Sequence, residues 1–431
     1  MAADQVRSTP GSVGELANLG VIMAIRRDAL AARREALGFT QETLAQELGV
    51  ELSTIGRWER GTLTPQPWRR PDLAKSLKVS LDELDILLNP PGSRIAAGHT
   101  SATRREVMVD AALLTGVIAA DHMLGTHSEE PPRRHRTTLS IASARVADLH
   151  RKYQAARYGD VARRLPEVSA AVDALVADGP ARKRREALGL QCSVAIVAAK
   201  LATKAGDGEA GWAAAERARE AAESAEDTFG LAAAAYQRAC ALLRAGNAEN
   251  AEQIAVSAAA GLRGQDPQSA TWRGALTLIS AVIAARRNDF AAAGERLDHA
   301  DALARWLGAD GNIGWTAFGP TNVLIHRTSV AVALNDPRGA LATAEQLDIT
   351  ALPVGLNGRQ AQFHLDSAWA HAQLTEDPQA VIHLLETERV APELVRANPN
   401  ARSLIEGLLA RERRREVPAL RGLALRAGVA A

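Results

Sequence analysis

Aromatic residues are scarce in this 431-residue sequence. Phe, Trp and Tyr make up only 3% of it, although 47% of the residues are hydrophobic, and the surplus is mostly alanine. Alanine has the best helix propensity and lets helices pack closely, so this composition predicts an all-α protein. The sequence also lacks a convincing alternation of apolar and polar residues, the pattern that would indicate β-strands.

Cysteine is almost absent as well. Cys192 and Cys240 are the only two, and both lie in alanine-rich helical stretches, where we expect small buried residues and no disulfide framework. No N-terminal signal peptide and no membrane-spanning run is visible, so we expect a cytoplasmic protein. No metal-ligand spacing, phosphate loop or nucleophile–base arrangement stands out, so the sequence predicts neither an enzyme nor a bound metal or cofactor.

The sequence also lacks a marked excess of positive or negative charge. The formal charge is +1, from 51 basic and 50 acidic residues. A nucleic-acid-binding protein of this composition depends on where its cations lie, and it has weak non-specific affinity because phosphate neutralisation supplies most of that affinity. The arginines that we expect to line one face of the N-terminal region are Arg26, Arg27, Arg57, Arg60, Arg69 and Arg70.

The segment from Phe39 to Gly61, FTQETLAQELGVELSTIGRWERG, predicts two short helices joined by a tight turn. Leu44 and Leu48 give the first helix an apolar face, and Gly49 ends it because glycine enters the left-handed conformation without steric cost. A second helix then extends from about Leu52 to Arg60. This is the pattern of a helix-turn-helix, whose second helix enters the DNA major groove.

The surrounding motifs resemble the repressor-type helix-turn-helix domain of lambda-type repressors, Cro and the xenobiotic-response-element regulators. The resemblance covers about Met23 to Leu88 and rests on R-x-x-x-G-x-T-Q ending at Gln41, on LAQELGV, on T-I-x-R-W-E-R-G ending at Gly61, and on LKVSLDELDILL. It implies five helices, with an ion pair between Arg34 and Glu59 that joins the first to the third. Trp58 is expected to pack in the core.

The same resemblance implies a set of DNA contacts. Gln41, in the first turn after the cap Thr40, would bond a phosphate, and Thr54 would do the same from the second helix. Arg57 would read guanine or contact phosphate only, two alternatives that the sequence leaves nearly equal. Glu51 stands where Ser or Thr usually caps the helix; it would repel phosphate or accept from a cytosine amine. The full set of predicted DNA-binding residues is Thr40, Gln41, Glu51, Leu52, Ser53, Thr54, Arg57 and Arg60.

Composition divides the chain into three parts. The DNA-binding domain is expected at 21–88, followed by a Pro/Gly/Ser-rich linker with one helix at 89–136 and by a repeat domain at 137–431. The linker helix is expected at Thr103–Ala120.

The third part contains helical runs separated by short turns that recur every 40 to 47 residues. This period predicts stacked helical hairpins in a superhelical solenoid, with the Asp or Asn of each turn capping the next helix. The repeats resemble tetratricopeptide repeats, and the domain order resembles a large actinobacterial group of regulators. Arg411–Arg415 and Val417–Val429 are expected to form a terminal cap. The turns are Gly159-Asp160, Gly206-Asp207, Gly246-Asn247, Asn288-Asp289, Asn335-Asp336 and Glu376-Asp377.

Polar residues at helical spacing in the last two repeats suggest a ligand groove on the concave face. Asparagine can donate to and accept from a peptide backbone, as peptide capture requires. The alternative, which we favour about two to one, is that these groups only bond carbonyls between repeats. The groove residues are Asn322, His326, Arg327, Arg359, Gln362 and Asp366.

Two functions are therefore consistent with the sequence. The first is a sequence-specific transcription regulator that binds a palindromic double-stranded DNA operator as a homodimer, with a repeat domain that dimerises, senses a peptide or small-molecule effector, or does both. The alternative is a protein-interaction scaffold with a vestigial helix-turn-helix.

Overall fold

The computed structural model describes residues 27–50, 52–60, 65, 69–88, 138–412 and 417–429. All regular structure in these ranges is helical, which confirms the predicted all-α class. The predicted linker helix at Thr103–Ala120 lies outside the described residues. The α-helices are α1 Asp28–Ala36, α2 Gln41–Glu47, α3 Leu52–Glu59, α4 Arg70–Ser76, α5 Leu81–Leu88, α6 Leu139–Gln154, α7 Tyr158–Asp178, α8 Arg184–Ala205, α9 Gly208–Ala225, α10 Thr228–Arg244, α11 Ala248–Gly261, α12 Pro267–Arg286, α13 Phe290–Leu307, α14 Pro320–Ala333, α15 Pro337–Ala344, α16 Asn357–Gln373, α17 Asp377–Val390, α18 Pro392–Ala397, α19 Pro399–Leu409 and α20 Leu420–Arg426.

The first five helices share one small core. Its largest fully buried side chains include Ile55 of α3, Leu73 of α4 and Leu84 of α5. Trp58 is also buried in it, at 3% exposure, as the sequence predicts. Apolar residues spaced three or four apart on five short helices thus bury one face of each helix against a common centre.

The helices from α6 to α17 form six antiparallel hairpins, and capping explains where most of the second helices begin. Asp207, Asn247, Asp289 and Asp336 each accept a hydrogen bond from a backbone amide in the first turn of the following helix, at 2.8 to 3.4 Å. These bonds satisfy amides that have no partner within the helix. The predicted caps at four of the six turns are confirmed.

At the first and last of the predicted turns the prediction was wrong. Gly159 and Asp160 lie inside α7, which begins at Tyr158, and Asp160 pairs with Arg157 and Arg163 instead of capping. Asp377 is the first residue of α17 and binds Arg411. In both places the carboxylate forms an ion pair with arginine, and the residue just before the helix provides no side-chain cap.

The first helices of the six hairpins form an inner layer. α6, α8, α10, α12, α14 and α16 pack each against the next, and α16 packs in turn against α6. The last helices, α18 to α20, share a hydrophobic core with α6, α7, α16 and α17. The C-terminal segment therefore caps the repeats and joins both ends of the hairpin series, so the inner helices form a closed ring, whose interior we call the lumen.

One helical stretch, Ala181–Ala205, has the length and apolar composition that a membrane crossing would need. Of the most apolar part of this stretch, 56% is buried inside the protein. This is also the behaviour of a core helix.

Candidate nucleic-acid interface

The helix-turn-helix is formed by α2 and α3. Thr40 caps α2 through a reciprocal pair of bonds with Thr43, in which each side chain accepts from the other residue's backbone amide. Gly49 then takes a φ of +57°, and the Val50 amide donates to Ala45 O over 2.9 Å. This left-handed turn directs the chain into α3.

The first turn of α3 is open to solvent, as a helix that enters the major groove requires. Leu52 is 52% exposed, a large value for a leucine, and Ser53 is exposed beside it. Arg57 is half-buried and Arg60 is exposed. Four of the eight predicted DNA-binding residues therefore lie on accessible parts of one short helix and its end.

Thr54 and Glu51 differ from these four. Thr54 is buried, at 5% exposure, so a phosphate would reach its hydroxyl only after neighbouring side chains move. Glu51 lies outside the described residues.

Gln41 takes part in a buried polar network that the sequence analysis did not predict. Its amide nitrogen donates to Glu59 Oε2 over 2.5 Å, and Arg34 Nε donates to Glu59 Oε1 over 2.6 Å. The ion pair between Arg34 and Glu59 is thus present, and its hydrogen bonds raise the pKa of Arg34. A side-chain amide carries two N–H donors, and the bond to Glu59 uses one of those of Gln41 and fixes the direction of its side chain.

Two of the arginines expected on the DNA-facing side are not there. Arg27 is buried and donates to Leu88 O at 2.7 Å and to Trp58 O at 3.1 Å, and burial lowers its pKa to about 10. Arg69 donates to Asn288 in the repeat domain. The sequence prediction was wrong for both because carbonyl and amide acceptors far away in the chain bind these cations.

Asn288 connects the helix-turn-helix to the repeats. This residue follows α12, and its side-chain amide donates to Leu48 O at 3.2 Å while its carbonyl oxygen accepts from Arg69. A Cβ at Gly49 would lie 2.9 Å from the Asn288 amide nitrogen. The turn between α2 and α3 is therefore in direct contact with a hairpin turn of the repeat domain.

The predicted groove residues are mostly satisfied within the repeat domain. His326 Nδ1 lies 2.8 Å from Asn322 O, and burial lowers the pKa of this histidine to about 3. Arg327 donates to Asp298 on the outer helix α13. Gln362 and Ser329 both donate to Asp366, at 2.8 and 2.5 Å, and burial raises the pKa of this carboxyl to about 7.

Arg359 is the groove residue that faces the lumen most clearly. It lies on α16, and its guanidinium interacts with the hydroxyl of Tyr236 on α10, which two other inner helices separate from α16 in the layer. Its charge also acts on Lys200 and Lys204 of α8. The sequence analysis missed these lysines, although their spacing of four residues on one helix was a visible signal.

Comparison with known proteins identifies the N-terminal part of the chain. Residues 30–84, from α1 into α5, match the helix-turn-helix family. Over 55 residues, 13% of this chain and 80% of the relative, the sequence is 40% identical to YazB of Bacillus subtilis (strain 168), an uncharacterised HTH-type transcriptional regulator. No solved structure matches the chain. Through this domain the chain belongs to the helix-turn-helix family of DNA-binding transcriptional regulators.

Proposed function

We propose that this protein is a sequence-specific transcription regulator that binds a palindromic operator as a homodimer in the cytoplasm. The observation that carries the proposal is the exposed first turn of α3. It belongs to a helix-turn-helix in which Gln41 and Arg34 both donate to Glu59. One such domain reads one half-site, and two-fold symmetry doubles the contacts. The nearly neutral charge of the chain makes specific contacts more important than general attraction to DNA.

The repeat domain would then supply the dimer interface, an effector site for a peptide or small molecule, or both. The bonds that join Asn288 to Leu48 and Arg69 support a coupling between effector and DNA binding, since they put the repeats in direct contact with the DNA-binding domain. The contact could exist in a closed and an open form. An effector that binds one form more tightly than the other would change how readily the two DNA-binding domains of a dimer reach adjacent half-sites. The resemblance of the repeats to tetratricopeptide repeats belongs to this proposal.

Each DNA-facing residue has a separate role in this proposal. Arg57 would contact guanine, and Leu52 would touch a thymine methyl. Ser53, Arg60 and the second N–H of Gln41 would bind polar groups of bases or phosphates.

Binding of the purified full chain to a library of genomic fragments at two salt concentrations tests the proposal. We expect a palindromic site for the wild type, and about a tenfold to hundredfold loss or a relaxed preference for Arg57→Ala. Gln41→Ala should weaken all sequences alike, because phosphate contacts carry no sequence information. Arg182→Ala, at an exposed arginine of the repeat domain, is the matched control and should bind like the wild type.

The alternative is an interaction scaffold with a vestigial helix-turn-helix. In that case the wild type would bind DNA weakly, without a preferred sequence, and salt would abolish the binding. An Arg57→Ala variant that keeps both the affinity and the sequence preference would also contradict the assigned reading residue.

A further inference from the structure

Three histidines meet between α16 and α17, the two helices of the last hairpin. His364 and His371 lie two turns apart on α16, and His383 lies on α17. The Nδ1 atoms of His364 and His383 are 3.1 Å apart, within hydrogen-bond distance. The ring of His371 stacks on that of His383, with centroids 5.3 Å apart and planes at 21°. We call these three residues the histidine cluster, and His364 and His383 its inner pair.

The contact within the inner pair requires a neutral ring. One Nδ1 carries a proton and donates it, and the other accepts it with its lone pair. Protonation of the accepting nitrogen leaves two N–H groups facing each other and no acceptor. The hydrogen bond that joins the two helices is then lost, and a second charge on the pair adds repulsion between like charges.

The surroundings of the inner pair also oppose a charge on it. Burial lowers the pKa of His364. Burial also lowers the pKa of His383 to about 4, and the two neighbouring imidazoles act in the same direction. The Phe363 ring contacts both members of the pair, and its edge contact with His383 has centroids 6.3 Å apart. All three histidines are nevertheless only half-buried, so water can supply a proton.

Two carboxylates near the histidine cluster offset part of this effect. Glu376 lies 2.7 Å from Nδ1 of His371 and would balance a charge on that ring. Glu386 favours a charge on both members of the inner pair, but it forms an ion pair with Arg389 over 2.8 Å. The charge of Arg389 in turn opposes one on His364. A charge at His371 therefore has a partner, whereas a charge on the inner pair costs the contact between the helices.

The histidine cluster lies in the hairpin at which the ring of inner helices closes. α16 is the inner helix that packs against α6, and α17 packs against α16 and against α18 of the C-terminal segment. Both helices of this hairpin contribute to the hydrophobic core that includes α6 and the C-terminal segment. A loss of contact between α16 and α17 therefore weakens the part of the fold that joins the two ends of the hairpin series.

We propose that the histidine cluster is a pH-sensitive switch, in which protonation of the inner pair separates α17 from α16 and loosens the closure of the ring. The open hairpin binds more protons than the closed one between about pH 4 and pH 6.5, because opening returns His383 to the ordinary pKa of histidine. The closed hairpin thus keeps its full stability above this range and loses stability as the pH falls through it. This switch does not depend on the function proposed above.

Hydrogen–deuterium exchange of the full chain at pH 7.5 and pH 5.5, followed by mass spectrometry, tests the switch. Rates are corrected for the intrinsic pH dependence of exchange, and the peptides of α17 then report how often the hairpin opens. The wild type and His383→Asn are compared at each pH, because asparagine keeps a polar side chain that cannot become charged. The comparison also cancels the contribution of Asp366 on α16, whose raised pKa gives the opposite pH dependence.

We expect the opening constant of the wild type, divided by that of His383→Asn, to rise about tenfold from pH 7.5 to pH 5.5, as pKa values of about 4 and 6.5 imply. The ratio to His364→Asn should rise in the same direction. His299→Asn changes an exposed histidine of the outer helix α13 and is the matched control. It should open like the wild type at both pH values.

A ratio between wild type and His383→Asn that is the same at both pH values overturns the inference. If His383→Asn leaves α17 unprotected at pH 7.5, the ratio to His364→Asn decides in the same way. Loss of protection at pH 7.5 in both variants also overturns it, because the histidines would then serve only to fill space. An equal rise in the ratio to His299→Asn would show that the pH dependence does not come from the histidine cluster.

Discussion

Asn288 donates a hydrogen bond to the carbonyl oxygen of Leu48, 3.2 Å away and 240 residues earlier in the chain. The same side chain accepts from Arg69, at the start of α4. One amide therefore holds two neighbouring parts of the DNA-binding domain. Its backbone φ of +62° places it in the left-handed region, which asparagine tolerates better than most residues.

Replacing this asparagine should loosen the domain contact. Asn288→Gly removes both bonds without straining the turn, because glycine accepts a positive φ. Two lost hydrogen bonds correspond to about 1–2 kcal/mol, so amides of α2 and of the turn after it should exchange with deuterium about tenfold faster. Hydrogen–deuterium exchange followed by mass spectrometry measures this change.

The chain offers a matched control for that variant. Asn335 occupies the equivalent place in another hairpin turn, with a φ of +61°. Asn335→Gly changes the same residue type in the same conformation and should leave exchange in α2 unchanged. Equal acceleration in the two variants would mean that glycine loosens the repeats generally and that the Asn288 contact contributes nothing.

The pair of Arg34 and Glu59 gives a second prediction. Arg34→Met should destabilise the DNA-binding domain by about 3 kcal/mol or more, because it leaves the buried Glu59 carboxylate without its cation, with Gln41 still donating to it. With 5-fluorotryptophan incorporated, the fluorine resonance of Trp58, which is buried in the same core, would follow the unfolding.

Two further variants check the cause. Adding Glu59→Gln to Arg34→Met should restore part of the lost stability, since it removes the stranded charge. Arg33→Met, which loses two bonds to the carbonyl oxygens of Leu77 and Lys78 and strands no buried charge, should cost about 1 kcal/mol. A double variant less stable than Arg34→Met would show that charge burial is not the source of the loss.

Much of the architecture could be predicted because it depends on residues close together in sequence. Gly49 and the apolar spacing around it define the helix-turn-helix, and Asp207, Asn247, Asp289 and Asp336 cap their own next helices. Backbone sterics and local hydrogen bonds act within three or four residues. Both partners of such a bond therefore lie in the same short stretch of sequence, where the pattern can be recognised.

The features that were not predicted depend on distant partners. In the sequence, Arg27 and Arg69 look like arginines that face DNA. In the structure, Arg27 instead donates to Leu88 and Trp58, and Arg69 donates to Asn288. The packing of α16 against α6, which encloses the lumen, joins residues about two hundred positions apart. No spacing within one helix reveals such contacts.

Asp366 predicts a dependence of stability on pH. Its pKa of about 7 in the folded protein exceeds the usual aspartate value near 4, so between these pH values the folded state binds more protons than the unfolded state. The contribution of Asp366 to the free energy of unfolding therefore falls as pH rises from about 4 to 7, by roughly 2–4 kcal/mol in total.

Asp366→Asn should remove this contribution. The variant should be more stable than the wild type at pH 8, and the difference should vanish near pH 4, where the carboxyl is protonated in both states. Urea denaturation at a series of pH values gives both curves. A stability difference that is the same at pH 4 and pH 8 would contradict the raised pKa.

Two glycines on neighbouring helices should respond in opposite ways to alanine. A Cβ at Gly274 of α12 would lie 2.0 Å from the Phe318 ring, which is 1% exposed, so Gly274→Ala should cost about 1–3 kcal/mol through overpacking. At Gly294 of α13 a Cβ would meet nothing within 4 Å, so Gly294→Ala should gain up to about 1 kcal/mol from helix propensity. Thermal unfolding of the two variants measures both effects.

A double variant checks the cause of the Gly274 effect. Phe318→Leu frees space at the ring, so combining it with Gly274→Ala should cost less than the sum of the two single changes. Full additivity would mean that the clash with Phe318 is not the cause.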